Sequence, residues 1–463
     1  MNDGKLVIEG KIELLSPLHI GSGENDSTDL DVIKDADGKP YITLTSFIGA
    51  LQHHLAKNYE TDKNDLEKLF GFTKGDDSQG SLIIGNDLFL LPATNGNIVT
   101  RDGIKINQKT GIVTDKAKYD YQIVDKGAKF SFKLEAAYSG AFKSTLLKYF
   151  TTIIEMLKAN GNYSDQFGLR IGAKTNNGLG KVFLVEEKLF DYDFSNSKSV
   201  IAWLKGVKPT FTANNNQTAL TKRQNDFIID GYFDLKTSLI QRSYNDDPSM
   251  PDASHIQSSN KNILAGSGAK GAIISRVRRI VNTIWEEDED LKTEFLDNLL
   301  GYVYDKNGEE DKRKSKEPKN AKLQIEEREL PAYITELQSR IKIDRFTGGT
   351  INGALFDSMP LFNTKELNES TDLGKKTRIT ITVKNYTEEE AGLLLLVLKD
   401  LWTGDIPIGG EKGIGRGVFN GVYATIHFGN ETIKLEQGLN SLAALQKYVD
   451  ALVKKTGVKS YEK

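Results

Sequence analysis

The feature of this sequence that most constrains its fold is an internal repetition. Residues 8–14 read IEGKIEL, and residues 229–235, about half the chain later, read IDGYFDL. Four further features recur in the same order: a turn into an amphipathic helix, an L-x-G-aromatic ending, a Thr-Gly pair and a Gly-x-Gly loop. They lie at Gly49 and Gly271, at residues 69–72 and 299–302, at Thr110–Gly111 and Thr347–Gly348, and at Gly178/Gly180 and Gly413/Gly415. A shared order with small drifts in spacing predicts one fold duplicated within a single chain.

Size and composition agree with two ordered cores. The chain has 463 residues, of which 38% are hydrophobic and 9% aromatic, so it is too long for one ordinary core. The absence of cysteine excludes disulfides and thiolate metal sites and favours a reducing compartment. The sequence shows neither a signal-peptide pattern nor an apolar run of membrane length. We therefore expect a soluble, cytoplasmic protein with no membrane partner.

The charge balance limits how the chain could bind nucleic acid. A net charge of −3 argues against broad, nonspecific attraction to phosphate. An RNA-binding role would therefore need local basic surfaces set against acidic ones. Lys270, Arg276, Arg278 and Arg279 crowd one predicted helix, whereas residues 286–310 are rich in acids. The sequence thus permits a local basic surface in the second half.

The order of predicted elements indicates the fold class. Each half opens with an alternating strand, continues through an amphipathic helix and further strands, and closes with a second helix and a last strand. A strand–helix–strands–helix–strand order is typical of a split βαβ fold. We predict the α+β class, with two tandem ferredoxin-like (RRM-like) domains.

The domain boundaries follow from composition. We place the first domain over residues 1–204, a linker over 205–225 and the second domain over 226–463. Residues 305–319 are too charged to pack and are predicted to form a mobile loop. Apolar residues at helical spacing over 439–453 predict a C-terminal helix that covers the second core, with partner docking as the alternative.

Two kinds of segment suit contacts with phosphate. Residues 265–271 (AGSGAKG) place Lys270 and small residues at the start of a helix, where backbone amides are unpaired, although a glycine-rich cap would look the same. The first half has a hydroxyl pair there, with Ile48 at the lysine position. Residues 171–182 (IGAKTNNGLGKV) and 408–419 (IGGEKGIGRGVF) set cations among glycines, which lets a backbone approach a phosphodiester closely. A flexible hairpin is the structural alternative.

Acidic loops follow the first strand of each half, at residues 19–35 and 249–258. Acidic loops are usually solvated, and charge alone gives them no role. No Ser–His–Asp or paired-Glu arrangement stands out, and the five histidines lack metal-ligand spacing.

Together these segments resemble the RAMP superfamily, specifically the backbone subunits of type III CRISPR effector complexes in a tandem, type III-D-like form. Residues 18–51 (LHIGSG…D…VIKD…GKPYITLTSFIGAL) resemble the opening block of that family, and residues 344–357 (DRFTGGTINGALFD) resemble its next block. Residues 101–121 look like a second copy of that next block, and the glycine loops resemble the closing G-x-G signature. The resemblance implies two RAMP domains with thumb hairpins, at residues 104–124 and 346–357.

The resemblance also implies an activity. Such subunits bind guide RNA (crRNA) within a ribonucleoprotein for antiviral defence, beside other type III effector subunits, and cut target RNA with a divalent metal, Mg²⁺ or Mn²⁺. The implied catalytic and metal-binding aspartates are Asp29 and Asp252, either of which could be inactive. Asp26 and Asp31 rival Asp29, and Asp246 and Asp247 rival Asp252.

The guide contacts are carried over in the same way. In the first half they fall on Thr45, Ser46, Lys174, Gly178, Gly180 and Lys181. In the second half they fall on Gly266, Ser267, Lys270, Gly271, Arg276, Arg345, Phe346, Lys412, Gly413, Gly415 and Arg416.

Three functions remain open at this point. In an RNA-guided endoribonuclease, the bent target strand supplies its own 2′-hydroxyl nucleophile, and one carboxylate with a metal ion suffices at each of up to two regularly spaced sites. A guide-binding structural subunit would share the loops but have idle aspartates. A guide-precursor processing ribonuclease would act without metal, with His19 as its candidate base.

Overall fold

The computed structural model divides into two compact units. It describes residues 3–23, 27–75, 77–107, 113–160, 168–208, 218–223, 225–244, 249–285, 289–302, 318–429, 431–436 and 442–456. The first unit comprises residues 1–105, 115–175 and 179–224, and the second comprises residues 106–114, 176–178 and 225–463. Asp26, Asp246, Asp247, Thr110–Gly111, residues 305–317 of the charged loop and residues 209–217 of the linker lie outside the described residues.

The first half of the chain contributes ten strands and four helices to the described structure. The strands are β1 (Gly4–Leu14), β2 (Tyr41–Ile42), β3 (Phe72–Lys74), β4 (Asp77–Gln79), β5 (Ile83–Gly85), β6 (Leu88–Phe89), β7 (Ile98–Ile106), β8 (Val113–Val124), β9 (Lys129–Tyr138) and β10 (Val182–Asp193). The helices are α1 (Leu44–Asn58), α2 (Lys63–Phe70), α3 (Lys143–Ala159) and α4 (Ser197–Leu204).

The main sheet of the first unit has the order β10-β1-β9-β5, and all its neighbours are antiparallel. The alternation of β1 explains its central place, because Leu6, Ile8 and Ile12 are fully buried on one face. Helix α1 adds Phe47 and Leu51 to the same core. Strands β7 and β8 form a separate two-stranded sheet.

The second half repeats this plan with more strands. They are β11 (Phe227–Leu235), β12 (Ser238–Leu239), β13 (Arg242–Tyr244), β14 (Ala253–His255), β15 (Gln257–Ser258), β16 (Lys261–Leu264), β17 (Leu323–Ile325), β18 (Arg328–Glu329), β19 (Ile334–Thr335), β20 (Gln338–Ile343), β21 (Thr350–Met359), β22 (Leu361–Phe362), β23 (Thr377–Val383), β24 (Phe419–Phe428) and β25 (Glu431–Glu436). The helices are α5 (Gly266–Ile284), α6 (Glu289–Leu300), α7 (Lys365–Glu369), α8 (Glu388–Trp402) and α9 (Leu442–Thr456).

The main sheet of the second unit has the order β17-β23-β11-β24-β25, again with antiparallel neighbours. The first strand of the repeat is again central, and the order β24-β11-β23-β17 matches β10-β1-β9-β5 element for element. A second sheet, β13-β14-β21-β20, contains a hairpin, β20–β21, whose outgoing strand pairs in parallel with β14. The chain is therefore a mixed α+β protein with two repeats of one plan.

Helix packing in the second unit follows the predicted apolar spacing. Ile273, Val277 and Val281 of α5 are fully buried in the core. Helix α8 begins with a capping box between Thr387 and Glu390, which satisfies backbone amides at its start. Helix α9 lies against α8, where a Cβ at Gly392 would lie 2.1 Å from the Tyr448 carbonyl oxygen. Only glycine allows this close approach of the two helices.

Among the described residues, no helix is both long enough and apolar enough to cross a bilayer.

Candidate functional site

The two glycine-rich loops share one backbone conformation. Lys174 and Glu411 both adopt the left-handed conformation, at φ 58° and 56°, and a short 3₁₀ turn follows each of them. Positive φ angles recur at matching glycines: Gly172, Gly178 and Gly180 in the first loop, and Gly409, Gly415 and Gly417 in the second. The loops therefore correspond from Ile171 and Ile408 onward.

The pairing of Gly178/Gly180 with Gly413/Gly415 is wrong by two residues. Gly178 corresponds to Gly415 and Gly180 to Gly417, whereas Gly413 lies inside the 3₁₀ turn without a positive φ. A Cβ at Gly180 would lie 2.0 Å from the Ile171 carbonyl oxygen, and one at Gly417 would lie 1.8 Å from that of Ile408. The sequence alone could not decide this pairing, because three glycines at alternate positions, 413, 415 and 417, allow two alignments of the second loop with the first.

Backbone hydrogen bonds fix each loop against the segment after the first strand of its half. In the first half, the Gly180 amide donates to the Pro17 carbonyl at 2.8 Å, and the Ala173 amide donates to that of His19 at 2.8 Å. In the second half the matching bonds run from Gly417 to Ser238, at 2.6 Å, and from Gly410 to Ile240, at 2.7 Å. In each half, the glycine loop is therefore hydrogen-bonded to the segment that leads into the acidic loop.

Gly178 has no room for a side chain because of protein packing. Residues 176–178 are grouped with the second unit, and a Cβ at Gly178 would lie 2.2 Å from the Glu327 amide nitrogen. Packing against Glu327 therefore explains by itself why this position is glycine. A guide contact at Gly178 stays a prediction.

The helix-start turns differ between the halves. In the first, Thr45 and Ser46 are exposed at the start of α1, and the Thr43 hydroxyl caps the Ser46 amide at 3.3 Å. In the second, the Gln241 side chain accepts from the Ala265 amide at 2.6 Å and donates to the Ala265 carbonyl at 3.3 Å. The start of α5 is thus tied to the segment between β12 and β13, which precedes the acidic loop.

Lys270 stands in the first turns of α5. Burial lowers the pKa of its ammonium to about 8. Ser267 and Gly271, on the same turns, are exposed, and a Cβ at Gly271 would meet nothing within 4 Å. Gly266, at the first position, is buried. A desolvated cation of this kind is stabilised when an anion binds.

Asp29 is held by a second aspartate on β8. The Asp29 amide donates to Asp120 Oδ1 at 2.8 Å, and the Asp120 amide donates to Asp29 Oδ2 at 3.0 Å. A parallel bridge between Leu30 and Tyr121 continues the pairing. Asp29 is exposed, so its carboxylate lies at the surface of the unit, and strand β8 holds the loop that contains it.

Asp252 has a matching arrangement in the second unit. The Asp357 amide, on β21, donates to Asp252 Oδ2 at 2.8 Å. Strand β14 pairs in parallel with β21 directly after it, at Ala253 and Ser358. Asp252 is exposed, as Asp29 is. The two aspartates selected from the sequence therefore occupy equivalent places, each held by the strand that leaves a hairpin.

Asp31, the rival of Asp29, is committed to local structure. Its carboxylate is buried and accepts hydrogen bonds from the Ser27 amide at 2.9 Å, the Thr28 amide at 3.0 Å and the Thr28 hydroxyl at 2.6 Å. It orders the turn that presents Asp29.

Several predicted guide-contacting cations are engaged inside the protein. Arg416 is buried and its guanidinium is bonded to Glu411, Ser238 and Gln338. Burial opposes ionisation of Glu411, but hydrogen bonds from Arg242, Arg416 and Arg340 outweigh it and hold the pKa of Glu411 below its usual range. Arg416 therefore anchors the glycine loop in this structure.

Arg276, another of the implied guide contacts, pairs with a residue of a second helix. Its Nε donates to Asp400 Oδ2 at 2.5 Å, so it joins α5 to α8. Burial of Asp400 is outweighed by its bonds to Arg276 and Lys399, so its pKa is lowered.

The remaining predicted cations have more accessible settings. Lys174 lies over the rings of Tyr119 and Tyr121, at 4.7 and 4.4 Å from their centroids. The backbone amide of Lys181 donates to the Ser16 hydroxyl at 2.9 Å. Desolvation lowers the pKa of Lys412, although its side chain remains exposed.

Arg345 and Phe346 lie in the turn of the β20–β21 hairpin. Phe346 is 101% exposed, and its amide donates to Asp344 Oδ1 at 2.7 Å. An aromatic ring held fully in solvent at a hairpin tip has no role in the core of this unit.

The two histidines of the acidic-loop segments are buried and tied to backbone. His19 Nδ1 lies 2.7 Å from the Gln122 carbonyl oxygen. His255 Nδ1 accepts from the Gln241 amide at 3.2 Å, and its Nε2 lies 2.8 Å from the Ile263 carbonyl oxygen. Burial lowers the pKa of His255 to about 4. These contacts give both histidines a structural role.

An open groove of about 670 Å³ lies on the first unit, and none of the predicted site residues lines it. Three of its four lysines are paired: Lys11 with Glu186 at 2.5 Å, Lys133 with Glu135 at 3.2 Å and Lys208 with Glu9 at 2.5 Å. Paired charges of both signs do not make a phosphate-binding surface.

These features define a class: a tandem α+β protein whose two units each carry a glycine loop, a helix-start turn and a hairpin-held aspartate. A model of the RAMP superfamily matches residues 11–183 and 207–420, which is most of the chain, so the protein belongs to that superfamily. Membership indicates a CRISPR-associated RNA-binding subunit. No curated protein matches the chain.

Proposed function

We propose that this chain is a guide-RNA-binding backbone subunit of a type III CRISPR effector complex, in a tandem, type III-D-like form, and that it cuts target RNA at up to two regularly spaced sites. The observation that carries the proposal is the repeated aspartate. Asp29 and Asp252 are both exposed, follow the first strand of their repeats, and accept a hydrogen bond from the outgoing strand of a hairpin. Two equivalent carboxylates in one chain suit two equivalent cuts.

Each unit is proposed to be a ferredoxin-like RAMP domain. The matching sheet orders support this assignment, because in both units the first strand of the main sheet lies between its third and fourth strands, counted along the chain. The hairpins β7–β8 and β20–β21 are the proposed thumbs. The full exposure of Phe346 supports a thumb role, since a ring at the tip could stack on or separate bases.

The guide is proposed to run along the helix-start turns and the glycine loops. Lys270 and Lys412 support this, because desolvation lowers the pKa of each and a nearby phosphate would stabilise the charged form. The hydroxyls of Ser46 and Ser267 and the amides of the helix starts would add hydrogen bonds. Such contacts read the backbone of the guide, and base pairing would supply the sequence specificity.

The residues at each aspartate fit a divalent ion that arrives with RNA. Among the described residues, no group of three or more His, Cys, Asp or Glu side chains could hold a metal by itself. Mg²⁺ is commonly held by one or two carboxylates together with substrate phosphates and water, and each site offers one exposed aspartate, Asp29 or Asp252. When bound, the ion would neutralise charge that develops on the phosphate.

The protein's own share of the mechanism is positioning. The hairpin would bend the target so that a 2′-hydroxyl lies in line with the leaving 5′-oxygen. Asp29 or Asp252 would stand beside that phosphate and orient the reacting groups. His19 is buried against the Gln122 carbonyl, which argues against a metal-independent processing activity based on that histidine.

The test uses the assembled complex with guide RNA and end-labelled target RNA in Mg²⁺. Asp29→Ala is expected to remove one cut and Asp252→Ala the other, because each variant loses the carboxylate at one site. Each loss should be about 10²-fold or more, the scale seen when a positioned charged group is removed from an active site. Target affinity should not change.

Asp31→Asn is not a suitable control because Asp31 orders the same turn, so Asp37→Ala, on an exposed residue, serves instead. Retention of both cuts in the double variant Asp29→Ala/Asp252→Ala would refute the assigned sites. Tight target binding without any product from the unaltered complex would instead favour a non-catalytic guide-binding subunit.

A further inference from the structure

The loop aspartate of each unit is not alone, because a second aspartate on the outgoing hairpin strand holds it. Asp120 and Asp29 exchange two hydrogen bonds, each through the amide of one and the carboxylate of the other, at 2.8 and 3.0 Å. This closed pair fixes both the backbone and the carboxylate plane of Asp29. Nothing in the sequence pattern singles out Asp120.

The pairing continues beyond the two aspartates. The Gln122 amide donates to the Leu30 carbonyl at 2.9 Å, and the Val32 amide donates to Gln122 Oε1 at 3.2 Å. Strand β8 is therefore hydrogen-bonded to the loop over several residues, and a shift of β8 would shift Asp29. Because β8 is the outgoing strand of the β7–β8 hairpin, the exposed carboxylate and the hairpin form one mechanical element.

The second unit shows the same device with one bond fewer. The Asp357 amide donates to Asp252 Oδ2 at 2.8 Å, but Asp357 Oδ1 is buried and has no hydrogen-bond partner among the described residues. The Asp357 side chain is therefore not the acceptor that Asp120 is. The two repeats therefore share the bond from the backbone amide and differ in the bond to the second carboxylate.

We infer that Asp120 is a positioning residue for Asp29, and that it couples the cutting carboxylate to the hairpin which bends the target. The inference rests on the proposed function, since it assigns Asp120 a role at the same site. Its carboxylate accepts the Asp29 amide, which sets where the loop lies. Its amide holds Asp29 Oδ2, which sets how the carboxylate is turned.

The proposed role of Asp120 depends on the length of its side chain rather than on its negative charge. Two substitutions separate these two properties. Asp120→Asn keeps an oxygen at the same position and loses the charge. Asp120→Glu keeps the charge and adds one methylene, so the Asp29 loop must shift. A positioning role therefore predicts that the first cut is fast in Asp120→Asn and slow in Asp120→Glu. A direct effect of charge predicts the reverse.

The experiment measures single-turnover cleavage of end-labelled target RNA by the complete complex, with both products resolved. Asp120→Glu is expected to slow the first cut about 10–100-fold, the range for altered outer-shell partners of a metal-binding carboxylate. Asp120→Asn should stay within about threefold of the unaltered complex. The second cut and target affinity serve as internal controls, because general unfolding would lower both.

Asp102→Ala is the matched control on the same hairpin, since Asp102 lies on β7 and pairs with Lys118 at 3.2 Å. Asp357→Ala should slow the second cut less than Asp120→Glu slows the first, because the backbone amide that holds Asp252 survives. An Asp120→Glu variant with an unaltered first cut, or an Asp120→Asn variant as slow as Asp120→Glu, would overturn the inference. Asp29→Ala is measured alongside, and if it keeps the first cut, the proposed function fails irrespective of Asp120.

Discussion

At the scale of single residues, the glycine loops are governed by backbone conformation more than by ligand chemistry. Gly180 and Gly417 have φ of 76° and 74° and lie against carbonyl oxygens of their own loops. A side chain there meets both backbone strain and a clash. Gly413, which the sequence had placed among the guide contacts, has open space around it. A side chain at Gly413 therefore meets no steric obstacle within the loop.

This difference gives a stability prediction. Gly417→Ala should lower the free energy of unfolding by about 1–3 kcal/mol or more, because an Ala Cβ would lie 1.8 Å from the Ile408 carbonyl oxygen at a positive φ. Gly413→Ala, in the same loop, should change it by less than about 0.5 kcal/mol. Urea titrations followed by circular dichroism compare the two midpoints. Equal midpoints would contradict the register that pairs Gly180 with Gly417.

At the scale of elements, buried side chains fasten the strands that carry the aspartates. His255, in β14, accepts from the Gln241 amide before β13 and reaches the carbonyl of Ile263 in β16. One imidazole therefore joins three segments of the second unit. Its burial lowers its pKa to about 4, so the folded state holds it neutral.

The pH dependence of stability follows from that pKa. Since the unfolded histidine titrates near 6.5, the unfolded state binds more protons between pH 6.5 and 4, and stability falls as the pH is lowered through this window. The loss at pH 5 relative to pH 7 should be about 2 kcal/mol from this group. Urea unfolding at both pH values checks it.

His255→Gln should be less stable at pH 7 and should show a smaller change between pH 7 and pH 5. His53→Gln, at an exposed position, is the control. A pH dependence that survives intact in His255→Gln would assign the effect to another group.

At the scale of the whole molecule, RNA binding must work against a slightly acidic protein. With a net charge of −3, general attraction is weak, so a few local cations have to supply the affinity. Several cations that the sequence offered, including Arg276 and Arg416, are engaged within the second unit. Lys270 and Lys412 are predicted contacts whose pKa is lowered by desolvation, and a nearby RNA phosphate would raise it again.

We expect Lys270→Ala to weaken guide-RNA binding about 3–10-fold and to reduce the slope of log affinity against log salt by about 1. Because the pKa of Lys270 is about 8, its pairing with phosphate takes up a proton above that pH. Affinity should therefore fall as the pH rises from 7 to 9, and less so in Lys270→Arg. Filter binding of labelled guide RNA measures both effects.

Lys365→Ala, which removes an exposed lysine of α7, is the matched charge control. An identical salt slope for Lys270→Ala and the unaltered protein would exclude a phosphate contact at Lys270.

The sequence by itself determined the repeat, the α+β class and the core positions. Alternation in β1 and β11 and apolar spacing in α5 are local patterns, and burial of Ile8, Phe233 and Val277 follows from them directly. Asp29 and Asp252 were named from the resemblance to the RAMP superfamily, because they lie three residues before Val32 and His255 of the matching blocks. Local order along the chain is enough for inferences of this kind.

Only the tertiary structure decided which side chains are engaged and by what. Asp120 lies about ninety residues from Asp29 in the sequence, and the bond between them depends on a parallel pairing that no local pattern encodes. The same holds for Arg416 with Glu411 and for Arg276 with Asp400, whose charges looked available in the sequence. Long-range contacts form only when the whole chain has folded, so no local sequence pattern specifies the partner of a charge.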